Sequence, residues 1–179
     1  MEIIIHRVNT VKKLKKIPTE FGAEIDLRSY KNKIILNHEP YADGDSLINY
    51  IKNYRHGTLV LNIKESGIEN EVLRIVRTNK KIKNYFLLDV EVPYLFYCLK
   101  SKEKSVSLRI SYYEPTTNLI NFKNKFNWIW IDTIKKLNFN KKDITAINTF
   151  KKCLVCPERW GKANEIIKYY NYFKKNKIK

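Results

Sequence analysis

Glu24 and Asp26 stand two residues apart in the stretch FGAEIDLRSYKNKIILNHEP, residues 21–40. On a β-strand, side chains at i and i+2 point to the same face, so these carboxylates lie side by side. Two adjacent carboxylates repel each other unless a cation or a proton lies between them. The alternative for these twenty residues alone is a solvated edge strand whose polar face looks at water. The next apolar run ends in His38-Glu39, and the first one ends in His6-Arg7. Ionisable groups thus collect where apolar runs stop.

The elements that must position these groups follow from the apolar pattern. Runs at 2–7, 22–27 with a continuation at 33–39, 57–65, 84–92, 105–111, 128–132 and 152–158 are rich in Val, Ile and Leu. They are nearly continuous rather than alternating, as strands buried on both faces are. Between several of them lie helix patterns, among them DGDSLINYIKNYRHG, GIENEVLRIVRTNKK, VPYLFYCLKSK with Pro93 in a first turn, and KKDITAINTFKK. In the last pattern, GKANEIIKYYNYFKKN, the spacing predicts a core face of Ile166, Ile167, Tyr170 and Phe173. Alternating strands and helices imply parallel βα units with right-handed crossovers. Seven such units in a single domain over 1–179 predict an α/β fold of the (β/α) TIM-barrel type, short of its eighth strand. No Gly-rich phosphate loop follows the first strand, which argues against a dinucleotide site.

Barrel active sites lie at the C-terminal mouths of the strands. The residues expected there are His6 and Arg7, Glu24 and Asp26, His38 and Glu39, Asn62 and Lys64, Asp89 and Glu91, Arg109 and Ser111, Asp132, and Glu158 with Arg159. His56 precedes its strand, which assigns it a surface role at the opposite end. Single residues of this set could be structural ion-pair partners; their concentration at one rim marks the site.

The net charge is +17. Such an excess draws anionic partners in general. The lysines run almost from end to end among many Asn, Ile, Tyr and Phe, a pattern that AT-rich codons produce without any function. No DNA- or RNA-binding signature is present, so nucleic acid is not the expected partner. Cys98, Cys153 and Cys156 form no disulfide framework, and the C-x-x-C pair falls in an apolar run, which reads as core. No run approaches the roughly 18 apolar residues of a membrane span, and the N-terminus lacks signal-peptide order. The expectation is a soluble, cytoplasmic protein.

The order of His-Arg in IIIHRVNT, Glu-x-Asp followed by a histidine and an acidic residue in GAEIDLRSYKNKIILNHEP, and a strand ending in lysine in LVLNIKE resembles the glycerophosphodiester phosphodiesterase family. That family belongs with the phosphatidylinositol-specific phospholipase C-like barrels. VSLRISYYEP, WIWID and CLVCPERWGK resemble later strands of a short subgroup. The resemblance implies metal-assisted hydrolysis of a small phosphodiester. His6 and His38 would be the acid and base, and Arg7 and Lys64 would neutralise the phosphate. Glu24, Asp26 and Asn62 would hold a divalent cation, Mg²⁺ or Ca²⁺. Arg109, Glu91, Asp132, Glu158 and Arg159 would contact the substrate. Two departures stand out: Val8 replaces the family's glycine, and Asn62 replaces a third acidic ligand, for which Glu91 is the nearest substitute. The alternative is a degenerate, non-catalytic barrel that binds a phosphorylated ligand or partner. A partner chain, including a second copy, or the C-terminal helix would close the gap left by the eighth strand.

Overall fold

All seven apolar runs contain strand, but the strands do not close into a barrel. The computed structural model describes residues 1–178. The chain divides into two units, Met1–Leu95 and Phe96–Lys179. The first holds β1 (Ile4–Ile5), β2 (Gly22–Tyr30), β3 (Lys33–Leu36), β4 (Asp45–Ser46), β5 (Leu59–Ile63) and β6 (Tyr85–Leu88), with α1 (Val11–Leu14), α2 (Leu47–Asn53) and α3 (Glu69–Val76). The second holds β7 (Ser107–Ile110), β8 (Trp128–Ile131) and β9 (Lys151–Leu154), with α5 (Lys141–Ile147) and α6 (Ile166–Lys175). Helix α4 (Val92–Ser101) runs across the division.

In the first unit a mixed six-stranded sheet runs β4-β3-β2-β5-β6, and β1 also pairs with β2. The parallel neighbours β1, β2, β5 and β6 follow the expected order. The expectation of a barrel fails first at the run 33–39. This run does not continue β2 but folds back on it, antiparallel, with Tyr30 opposite Lys33. The two-residue turn Lys31-Asn32 makes this possible, with φ of +46° and +61°. Positive φ at both central residues is the turn geometry that matches hairpin twist. β3 then occupies the β2 edge along Leu27–Tyr30, while β1 pairs only at Gly22 and Ala23. It fails again after β6: β7, β8 and β9 form a separate three-stranded parallel sheet. Closure requires one continuous circuit of paired strands, and none exists among the described residues.

The site depends on the two faces of β2 and β5. Ala23, Ile25 and Leu27 alternate with Glu24 and Asp26, and all five are buried. In register, Glu24 pairs with Val60 and Asp26 with Asn62; Val60 pairs with Phe86 and Asn62 with Leu88. From Ala23 to Leu27 one face of β2 is therefore apolar, and the other carries Glu24 and Asp26, with Asn62 beside them on β5. Buried Leu47, Tyr50 and Ile51 of α2, with Val72, Leu73, Ile75 and Val76 of α3, supply the rest of this unit's core.

In the second unit α5 starts with a capping box, Asn140 accepting from the Asp143 N–H and the Asp143 side chain accepting from the Asn140 N–H. Helix α6 presents only part of the expected core face: Ile166 and Phe173 are half-buried, while Ile167 and Tyr170 are not. Tyr169 is the buried residue, and the Tyr172 hydroxyl accepts from the Phe139 N–H, so α6 is turned to seat these two rings. Ile167 and Tyr170 face outward. Two polar-tipped rings that need hydrogen-bond partners set the rotation, which the apolar spacing alone does not register.

Gly22 sits at a close backbone approach in the first sheet. A Cβ there would sit 2.4 Å from the Thr58 carbonyl oxygen and 3.0 Å from Ile4 Cγ1. Gly22→Ala is expected to destabilise the fold by about 1–3 kcal/mol, the usual cost of overpacking. Urea denaturation measures it; an unchanged midpoint would contradict the packing described at the β1–β2–β5 junction.

Candidate functional site

Glu24 and Asp26 are the most deeply buried acidic side chains of the β2 face, at 1% and 0% exposure. Each is surrounded by donors drawn from neighbouring segments. Glu24 Oε2 accepts from the Arg7 backbone N–H at 2.8 Å and lies 3.7 Å from His6 Nε2. Glu24 Oε1 accepts from Asn62 Nδ2 at 2.8 Å. Asn9 clasps Asp26 at both ends: Asn9 Nδ2 donates to Asp26 Oδ2 at 2.8 Å, and the Asp26 N–H donates to Asn9 Oδ1 at 2.9 Å. Lys64 Nζ lies 3.5 Å from Asp26 Oδ1 and 3.9 Å from Asp89 Oδ2, while Arg7 Nε lies 3.9 Å from Asp26 Oδ2.

The backbone bends to make this arrangement. Arg7 and Asp89, at the ends of β1 and β6, both adopt the left-handed region, with φ of +55° and +58°. For residues other than glycine this conformation costs energy and tends to concentrate at functional sites. At Arg7 it belongs to the turn whose N–H reaches Glu24. Val8, which replaces the glycine of the resembled family, has no positive φ and is buried at 2%. Its N–H donates to the Glu24 carbonyl at 2.9 Å. The valine is thus a core residue, and the unusual backbone sits one residue earlier.

Burial raises the Glu24 carboxyl above the usual carboxylate range, and the charge of Asp26 raises it further; Asn62, the Arg7 N–H and Lys64 oppose this. The Tyr50 phenol is also pushed up, first by burial, then by Tyr54 and Glu24.

The donor set fits a hard cation in kind. Asp26 Oδ1 and Asn62 Oδ1 are buried acceptor oxygens without a hydrogen-bond partner among the described residues. They belong to register-paired positions on β2 and β5, and Glu24 adds a second carboxylate. Oxygen donors of this type suit Mg²⁺ or Ca²⁺. Among the described residues no group of three or more His, Cys, Asp or Glu could hold a metal ion; this set relies on an amide oxygen as its third donor.

The other expected site residues divide by unit. His38 follows Asn37, whose N–H donates to the Asp26 carbonyl. The His38 ring meets Glu39, with Nδ1 2.6 Å from Oε1, and its carbonyl accepts from Arg28 Nε. Glu91 is exposed beyond β6, and it is Asp89 that reaches Lys64. In the second unit Arg109 bridges Asp132, at 2.8 Å, and Glu114, at 3.4 Å. Glu158 and Arg159 lie in the 3-10 turn Pro157–Trp160, with the Arg159 guanidinium 5.6 Å from the Trp160 ring. His56 packs beside Tyr54, and its Nε2 meets the Ile17 carbonyl at 3.2 Å. Sequence reasoning missed Asn9. Its only signal is the position three residues after His6, on the segment leaving β1.

No protein-family model matches the chain, and no curated protein matches it.

The raised Glu24 carboxyl has a consequence for stability. Between the ordinary glutamate value of 4.5 and the higher folded value, the folded state binds more protons than the unfolded one. Stability therefore falls as pH rises through that window. Glu24→Gln removes the charge at nearly constant shape, and Asn62 can turn its amide to accept from the new NH₂. The variant is expected to melt higher than the wild type at pH 7.5 and to lose the advantage near pH 4. Thermal unfolding across that range reads it; a lower midpoint at neutral pH would contradict the strained ionised carboxylate.

Proposed function

We propose that the Glu24–Asp26–Asn62 face, with His6, Arg7 and Lys64, hydrolyses a small phosphodiester of the glycerophosphodiester type with the help of a divalent cation. The observation that carries this reading is the pair of unbonded buried oxygens, Asp26 Oδ1 and Asn62 Oδ1, beside a second buried carboxylate. A bound Mg²⁺ or Ca²⁺ would offset the carboxylate charge and neutralise charge on the phosphate. Arg7 and Lys64, partly exposed above Asp26, hold the non-bridging phosphate oxygens. His6, partly exposed and beside Glu24 Oε2, is oriented by that carboxylate and transfers a proton at Nε2. His38 is the second proton-transfer group of this reading. The order His6-Arg7, Glu24-x-Asp26, His38 and Lys64 resembles glycerophosphodiester phosphodiesterases, which supports the same reaction class. The cytoplasm is the setting this reading assigns; among the described residues no helix is long and apolar enough to cross a membrane.

A second reading, binding of a phosphorylated ligand without turnover, is favoured by two contacts. The His38 ring is held by Glu39, and the Lys64 ammonium stands next to Asp26 Oδ1. Calorimetry with Mg²⁺, Ca²⁺ and Mn²⁺, followed by hydrolysis of glycerophosphocholine, separates the two. The enzyme reading expects cation binding that Glu24→Ala or Asp26→Ala abolishes. It also expects cation-dependent turnover that His6→Ala lowers about 10²-fold or more, with His56→Ala unchanged. Cation binding without turnover selects the second reading. Binding that survives both carboxylate substitutions overturns the metal assignment.

Asn62→Asp sharpens the test. Without a cation it replaces the Asn62 Nδ2 donor to Glu24 by a third buried negative charge, so the apo protein should melt lower. With a cation the added carboxylate is attracted strongly in a partly dehydrated site, so affinity should rise. A variant destabilised equally with and without saturating Mn²⁺ would place the cation elsewhere.

A further inference from the structure

The positive charge is not evenly divided between the two units. Residues 1–95 hold 16 Lys and Arg against 12 Asp and Glu, a net +4; residues 96–179 hold 19 against 6, a net +13. The excess comes as much from missing acids as from added lysines. Several of the remaining acids are spent internally: Asp132 and Glu114 on Arg109, Asp143 on the start of α5, and Glu165 on Lys168.

The same unit displays apolar side chains where a solvated surface has no use for them. On α6, Ile167 is 67% exposed and Tyr170 is 52% exposed. These positions and Lys174 follow the i, i+3, i+7 spacing of one helix stripe, with Lys168 and Lys175 alongside. Tyr112 and Tyr113 form a second exposed aromatic group of this unit, connected to α6 through Lys135. Lys135 Nζ lies 4.5 Å and 4.9 Å from their ring centres, and the Lys135 carbonyl accepts from the hydroxyl of Tyr169 on α6 at 3.4 Å. Ile120 adds another exposed aliphatic side chain.

We propose that the second unit docks on an anionic phospholipid surface through the outer stripe of α6. A helix with an apolar stripe flanked by lysines lies in the plane of a bilayer interface, with its apolar residues at the acyl boundary and its ammonium groups at the head groups. Tyrosine suits that depth, because its ring is apolar and its hydroxyl is wet. A nucleic acid explains the features less well. The unit has only two arginines, Arg109 and Arg159, and they are engaged by Asp132 and Glu114 and by the Trp160 ring. Bidentate phosphate recognition favours arginine, and neither Ile167 nor Ile120 has a role on a soluble polyanion.

Co-sedimentation of the full chain with vesicles tests the proposal, and it requires neither a metal nor turnover. Binding is expected to vesicles of phosphatidylcholine with about one-third phosphatidylserine, to weaken as salt screens the lysines, and to be negligible for phosphatidylcholine alone. Ile167→Ser with Tyr170→Ser should lower the vesicle partition coefficient about tenfold or more, while circular dichroism stays unchanged because both side chains face out. A gel shift with duplex DNA serves as the polyanion control, and the double variant should leave any shift unaltered. Failure to bind phosphatidylserine vesicles at low salt overturns the proposal. So does vesicle binding that the double substitution leaves intact, which would reduce it to non-specific attraction.

Discussion

Two carboxylates on one buried strand face are the constraint around which the first unit is arranged. Burial raises the Glu24 carboxyl above the usual carboxylate range, and the charge of Asp26 raises it further, so keeping both groups ionised on this face costs stability. The protein meets this cost with groups from three neighbouring segments rather than from β2 itself. The β1 end supplies the Arg7 N–H and guanidinium, the residues after it supply Asn9, and β5 supplies Asn62 and Lys64. Parallel register delivers them: Asp26 opposite Asn62 places Lys64 just beyond the strand end. The left-handed backbone at Arg7 is a local cost of the same arrangement. Such an assembly is hard to account for as packing, since an apolar pair at 24 and 26 would match the other face of the strand.

Compensation is nevertheless incomplete, and the shortfall gives the site its character. Glu24 remains raised despite three favourable neighbours, and Asp26 Oδ1 and Asn62 Oδ1 make no hydrogen bond among the described residues, Asp26 Oδ1 having only the Lys64 ion pair at 3.5 Å. A neutral amide in place of the Glu24 carboxylate, or one more hydrogen-bond donor, would make a more stable protein. Sites that act on charged ligands commonly hold such tension in reserve, because the ligand relieves it.

Much of this was legible in the sequence, for physical reasons that also mark where legibility stops. Alternation in EID places Glu24 and Asp26 on one face, and the apolar runs locate every major strand. The basic residue next on their own strand face, Arg28, donates instead to the His38 and Lys64 carbonyls, and the partners of the two carboxylates come through register and a turn, which the sequence does not display. The hairpin was missed because Lys31-Asn32 lacks the glycine that usually advertises a positive-φ turn. That one turn converts an apparent strand continuation into an antiparallel pair. With the separate sheet of β7, β8 and β9, it replaces a closed barrel by two open sheets. On α6 the apolar spacing places Ile166 and Phe173, which are half-buried, but not Ile167 and Tyr170, which are left outside while Tyr169 and Tyr172 are anchored by hydroxyl contacts. The distribution of charge needs the structure as well: lysines run along the whole chain, and only the division into units shows that acids are scarcer in one of them.

The central claim is that Glu24 is an ionisable group held under electrostatic strain that a cation relieves. Carboxyl ¹³C NMR of Glu24 through a pH titration, without and then with Mg²⁺, measures this directly. The account predicts a midpoint clearly above the ordinary glutamate value in the metal-free protein, moving downward when Mg²⁺ is added. A midpoint at or below the ordinary value without metal, or one that Mg²⁺ leaves in place, would contradict it.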